Sequence, residues 1–172
     1  METATDTPRI YVACLAAYNS GKLHGEWIDA NQTSEEIHDA IEAMLEKSPI
    51  PDAEEWAIHD TDNFHGLNIH EFDDIDKIAE FAEAVEEHGE AYAAYVGVVG
   101  LEHADLDGFQ DAFVGEYSSF KDYCEEIAEE CLDKEALLAH FWHGGIDSFV
   151  RDMEMEYTTV DTSGGVFIFR DC

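Results

Sequence analysis

Forty-one Asp and Glu against eight Lys and Arg give this chain a formal net charge of −33. No other feature restricts its folding as much. Self-repulsion at that level opposes compaction, and solubility is reached with far less charge. Disorder is not the outcome, because a solvated acidic segment is poor in aromatic and apolar residues. Here 45% of the residues are hydrophobic and 12% aromatic. The charge is also spread evenly: residues 1–60 carry −10, residues 61–104 carry −10 and residues 105–172 carry −13. That distribution describes an acidic coat over folded elements rather than an acidic tail. At 172 residues the chain has room for one ordinary domain or a few small subdomains.

The pattern of apolar residues predicts an α+β fold. Arg9 to Tyr18 is rich in strand formers, Asn19-Ser20-Gly21 marks a turn, and Leu23 to Ile28 suits a strand pairing back as a hairpin. Thr33-Ser-Glu-Glu36 has the form of a capping box, and Ile37, Ala40, Ile41, Met44 and Leu45 then share one helical face until Pro49 and Pro51 end the helix. Glu54 to Asp60 fits a third strand. A central helix follows, capped by Asp73 or Asp74, with Ile75, Ile78, Ala79, Phe81, Ala82 and Val85 on its apolar face and Gly89 as its stop. Glu90 to Val99 suits a second short helix. Further on, Ala112 to Tyr117 reads as a strand and Ser119 to Leu132 as a helix with Phe120, Tyr123, Cys124, Ile127 and Cys131 inward. Asp147 to Glu156 reads as another helix, and Val166 to Phe169 as a closing strand. These elements group into three subdomains: an N-terminal α+β unit at 1–61, a helical unit at 62–104 and a mixed α+β unit at 105–172.

So many carboxylates invite a search for metal chemistry. Asp60, Asp62 and Glu71 occupy positions 1, 3 and 12 of a calcium loop, but Phe64 and His65 stand where it needs an oxygen ligand and a glycine. Cys124, Cys131, His140 and His143 form Cys-x6-Cys-x8-His-x2-His, looser than the paired spacing of structural zinc sites. No nucleophile elbow, Walker loop or dinucleotide fingerprint occurs. His59, His65 and His70 lie near Asp60 and Asp62, and solvated loop histidines are the simpler reading. The sequence therefore predicts no metal, no cofactor and no enzyme. The scarcity of bases excludes ordinary binding to DNA or RNA and repels an anionic membrane surface. No apolar run is long enough to span a bilayer, the first residues lack an apolar signal core, and a cytoplasmic location with reduced thiols is expected.

B-DNA carries one charge per ~1.7 Å of axis, so 33 net charges at that density equal roughly 56 Å of duplex. An acidic rod of that kind would fill the basic groove of a DNA-handling enzyme. The residues also resemble a known family. Arg9-Ile-Tyr-Val-Ala-Cys-Leu-Ala-Ala-Tyr-Asn-Ser-Gly-Lys-Leu-His-Gly-Glu-Trp-Ile-Asp-Ala30 is similar to the opening segment of the ArdA antirestriction proteins. Glu54 to Phe64, Gly66 to Ile69, Glu90 to Tyr95, Phe109 to Tyr117 and Phe149 to Asp152 continue the likeness. Ala139 to Gly145 matches less well. The resemblance implies an elongated, curved row of three small domains, dimeric through the last. It also implies imitation of B-form DNA in the DNA site of type I restriction-modification enzymes, which protects incoming mobile DNA, and an antirestriction segment near Lys121 to Leu137. The carboxylates expected to stand for phosphates are Asp73, Asp74, Asp76, Glu80, Glu83, Glu86, Glu87 and Glu90 in the central stretch. In the last third they are Glu116, Asp122, Glu125, Glu126, Glu129 and Glu130. Two other classes compete on composition: an acidic housekeeping protein of a halophile, and a metal-dependent enzyme using the His59–His70 region or the Cys/His set.

Overall fold

The structure is a computed structural model that describes residues 6–131, 135 and 145–171. The chain divides into two compact units, Met1–Asp105 and Leu106–Cys172. Among the described residues there are seven helices and two three-stranded antiparallel sheets. None of these helices is long and apolar enough to cross a membrane.

The first unit is built on strands β1 (Arg9–Cys14), β2 (Gly25–Asp29) and β3 (Trp56–Asp62) in the order β2-β1-β3. Ile10, Val12 and Cys14 alternate onto the inner face and are fully buried there. The expected first strand stops four residues early. Leu15–Asn19 forms helix α1 instead, where Leu15, Ala16 and Ala17 are good helix formers. Gly21 at φ +74° then turns the chain back, and the Cys14 amide donates to His24 O at 2.9 Å. The β3 strand runs two residues later than expected because its ladder to β1 is bulged at His59. The register passes from Tyr11↔Asp60 to Val12↔Ile58, leaving His59 without a partner in the ladder.

Helix α2 (Ser34–Glu46) covers the inner sheet face with Ile37, Ile41 and Met44. Its start is the capping box read from the sequence: Glu36 N donates to Thr33 Oγ1 at 3.3 Å and Thr33 N to Glu36 Oε2 at 3.0 Å. Helix α3 (Ile75–His88) begins on Asp74, whose carboxylate accepts from Asp76 N at 2.9 Å, and stops at Gly89, φ +62°. Helix α4 (Glu90–Val99) follows directly. Phe81 joins these parts. It stacks on Phe64 at 5.5 Å between centroids and meets Tyr92 at 6.1 Å. Burial pushes the Tyr92 phenol up to about 12.

The second unit contains helix α5 (Leu106–Ala112), β4 (Phe113–Tyr117), α6 (Phe120–Cys131), α7 (Gly145–Met153), β5 (Tyr157–Asp161) and β6 (Val166–Arg170), with sheet order β4-β6-β5. Two of these were not expected from the sequence. Helix α5 spans a stretch broken by Gly108, and β5 takes residues that follow an α7 shorter than its apolar spacing suggested. Tyr123, Cys124 and Ile168 form the core, with Phe120, Ile127, Phe149 and Met153 packed around them. Tyr123 Oη donates to Tyr157 Oη at 3.2 Å, and burial raises the Tyr123 phenol far above its ordinary value. At the β5–β6 turn, a Cβ on Gly165 would lie 2.0 Å from Tyr117 O, so only glycine fits that close approach.

Candidate functional site: the carboxylate faces

Among the described residues no charged or polar side chain is buried, so every described carboxylate is at least partly exposed. Even if each of the eight basic residues took one acid, 33 of the 41 carboxylates would have no basic partner. Ion pairs link Arg9 with Asp62, Lys77 with Glu80 at 2.8 Å, and Lys121 with Asp147 at 3.4 Å.

On α3 the apolar residues Ile75, Ile78, Phe81, Ala82 and Val85 take one side. Asp76, Glu80, Glu83 and Glu87 then recur at i, i+4, i+7 and i+11, a single stripe on the opposite side. With ~1.5 Å of rise per residue the stripe is about 16 Å long. Glu86 lies beside it and accepts a hydrogen bond from Asn31 Nδ2. Across from the stripe is the start of α2. Asn31, Gln32, Thr33, Ser34 and Glu36 together with Asp76, Glu80, Glu83 and Glu86 line a cleft of about 610 Å³. Hydrogen bonds from the Thr33 backbone and hydroxyl hold the Glu36 carboxyl below its usual value, so it too stays charged there. Sequence reading missed Glu36 as a member of this face, because the capping box already gave it a structural task. Lys77 adjoins the stripe, its ammonium held above its ordinary value chiefly by the hydrogen bond to Glu80.

Helix α6 carries a denser version. Asp122, Glu125, Glu126, Glu129 and Glu130 follow the i, i+3, i+4, i+7, i+8 spacing that ordinarily builds an apolar face, and all five are exposed. Tyr123, Cys124 and Ala128 fill the opposite side. Asp122 also serves the helix start, accepting from Ser119 Oγ at 2.9 Å. The effect of this row is felt nearby: the Tyr117 phenol is pushed up, first by burial and then by the charges of Glu126 and Glu130.

The other expected residues are more scattered. Asp73 is half-buried and accepts from His70 N at 2.8 Å, and Asp74 is taken up as the α3 cap, so both have local structural duties. Glu90 is exposed at the start of α4. Glu116 lies on β4, apart in sequence from the α6 row, and accepts from Thr162 Oγ1 at 3.0 Å.

The chain belongs to the ArdA family of antirestriction proteins. The family model, described as antirestriction protein (ArdA), matches residues 10–168. A comparison with curated proteins returns no significant match. The matched residues include both α3 and α6.

Among the described residues no group of three or more His, Cys, Asp and Glu is placed to hold a metal ion. Asp60 and Asp62 are committed to the β3 ladder, opposite Tyr11 and Arg9. His59 and His70 do share a cleft of about 550 Å³ with Tyr18, Asp60 and Glu71, and the His59 ring meets Tyr18 edge-on at 5.0 Å. Cys124 is buried, its thiol pushed up to about 11 by burial. His140 and His143, and most of Ala139 to Gly145, lie outside the described residues.

Proposed function

We propose that this ArdA protein imitates B-form DNA, occupies the DNA-binding groove of the methyltransferase core of type I restriction-modification enzymes, and so protects incoming mobile DNA. It would act as a homodimer in the cytoplasm, without cofactor, metal, nucleic acid or membrane. One observation supports this most directly. The helices α3 and α6 place carboxylates at spacings that cost helix stability, and among the described residues only Glu80, Glu86, Glu87 and Asp122 of these rows have a side-chain partner within the fold. Charges arranged against the interest of folding need an external partner. A groove that binds duplex DNA presents Lys and Arg to the phosphates and gains little from base identity when binding non-specifically. Exposed carboxylates in rows offer the same groups an anionic oxygen, with charge-assisted hydrogen bonds. The complex should form quickly, be indifferent to DNA sequence and weaken with salt.

The direct test is competition. A labelled duplex is bound to a type I methyltransferase core at low salt and the protein is titrated in. The expected result is displacement that loses potency as salt rises. Failure to displace the duplex at low salt would sink the proposal.

A further inference from the structure

The outer face of the N-terminal sheet differs in kind from the carboxylate faces of α3 and α6. Residues directly opposite in an antiparallel ladder share a face. Register therefore places Asp29, Arg9 and Asp62 in one row across β2, β1 and β3, and Trp27, Tyr11 and Asp60 in the next. The rings of Tyr11 and Trp27 meet at 5.5 Å with a 56° tilt, and Trp27 remains 42% exposed on an edge strand. This face thus combines an aromatic floor with three aspartates, whereas the exposed sides of α3 and α6 carry acids without aromatics.

The face already holds a guanidinium of its own. The Arg9 Cζ lies 5.4 Å from the Trp27 ring centroid, with Nη2 on the Asp62 carboxylate. Arginine recognition by proteins uses these two elements together, a π face under the plane and a carboxylate at its edge. Arg9 engages Asp62 alone among the three aspartates. Among the described residues no basic group pairs with Asp29 or Asp60.

We propose that the outer face of the N-terminal sheet is a docking surface for an arginine side chain of the protein partner, taken on the exposed Trp27 ring and held by Asp29 on the same strand, with Asp60 adding negative charge from two strands away. Arginine fits better than lysine because its planar, weakly hydrated guanidinium stacks on an aromatic ring, while an ammonium keeps its water. An aromatic contact is also screened less than an ion pair, so this surface would hold when salt has weakened the carboxylate rows. That the partner is the basic groove of a restriction enzyme rests on the function proposed above. The chemistry of the surface does not.

Two measurements on the full chain decide it. The first measures the affinity of wild type and variants for a capped Gly-Arg-Gly-Arg peptide and its lysine counterpart by titration calorimetry at about 0.3 M salt, where long-range attraction is screened, with the Trp27 indole N–H resonance locating the site in the wild type. The arginine peptide should bind at least severalfold tighter than the lysine peptide. Trp27→Leu, which keeps an apolar group against Tyr11, should lose that preference, and Trp27→Phe should keep most of it. Equal binding of the two peptides, or an unchanged preference in Trp27→Leu with a wild-type melting curve, overturns the proposal. The second measures affinity for the methyltransferase core. Trp27→Leu should weaken it roughly tenfold at moderate salt, the size of a partly desolvated cation–π contact. An affinity equal to wild type across the salt range overturns the docking role. If the wild type fails to bind the core even at low salt, the DNA-mimic reading falls, and the peptide titration still decides the surface.

Discussion

Replacing Glu126 by Gln should make the protein more stable and a weaker inhibitor at once. Glu126 lies four residues from both Asp122 and Glu130 on the exposed side of α6. Like charges at that spacing destabilise a helix by about 0.2–0.5 kcal/mol per pair, so removing the two pairs should stabilise it by about 0.4–1 kcal/mol. Gln and Glu have nearly equal helix propensity, which isolates charge as the variable. For a chain of this size the melting temperature should rise by about 1–4 °C. The gain should be largest at low salt and shrink as the charges are screened. The same substitution removes one of the two carboxylates whose field raises the Tyr117 phenol, so Tyr117 should titrate at lower pH in the variant, read by the absorbance of phenolate. Inhibition of DNA binding by a type I methyltransferase core should weaken severalfold at low salt. A melting temperature unchanged or lowered at low salt would refute the repulsion argument. Undiminished inhibition, with the stability gain present, would remove α6 from the functional face.

Three further outcomes follow from local geometry. Gly165→Ala should cost about 1–3 kcal/mol or more by denaturant unfolding, because the new methyl meets Tyr117 O at 2.0 Å and the backbone must move. Thr33→Ala should cost about 1 kcal/mol at neutral pH through loss of the α2 cap. The Glu36 carboxyl of that box is lowered in the folded state, so its contribution is present above the unfolded value of 4.5 and is lost as pH falls through the folded value. The gap between wild type and Thr33→Ala should therefore narrow in acid only by the part carried by the Thr33 hydroxyl's bond to the Glu36 carboxylate, while the Glu36 amide's bond to that hydroxyl keeps the wild type the more stable. Cys124, its thiol pushed up to about 11, should resist labelling by a thiol reagent at pH ~8 in the native protein and react on unfolding, as followed by peptide mapping.

Local chemistry made parts of the fold legible. The Thr33–Glu36 box set the start of α2, the apolar spacing of Ile75 to Val85 set α3, and Gly89 ended it where expected. What stayed hidden depended on partners distant in sequence. The β3 bulge at His59 shows only against the register of β1. Leu15–Asn19 has the composition to continue a strand or start a helix, and the His24 and Glu55 carbonyls that take the next amides decide for the helix. Of the fourteen carboxylates proposed from sequence, those following helical spacing do form faces. Asp73 and Asp74 also serve the entry to α3, in keeping with the cap alternatives for that helix. Glu36, Asp29 and Asp60 entered the picture only when α2 and the sheet brought them beside other functional groups.

The acidity of this chain has two explanations that predict opposite behaviour in dilute buffer. A halophilic protein uses carboxylates to bind water and cations, and its folded state depends on salt to suppress repulsion. A mimic must remain folded at the low salt where its electrostatic attraction is greatest. The structure bears on this through where apolar burial is spent. Phe81, Ile37, Ile41, Met44 and Ile78 are almost fully buried within the first unit, with aromatic stacking around Phe64 and Tyr92. Burial of each such side chain is worth about 1.5–3 kcal/mol, while each helical like-charge pair opposes it by only about 0.2–0.5 kcal/mol. On that comparison the local repulsion within a helix is small beside what each core side chain contributes. A melt should therefore show a cooperative transition at salt near 10 mM, where the screening length is roughly 30 Å, with modest further stabilisation as salt rises. Loss of the transition at low salt would mean that the charge serves hydration and not a partner.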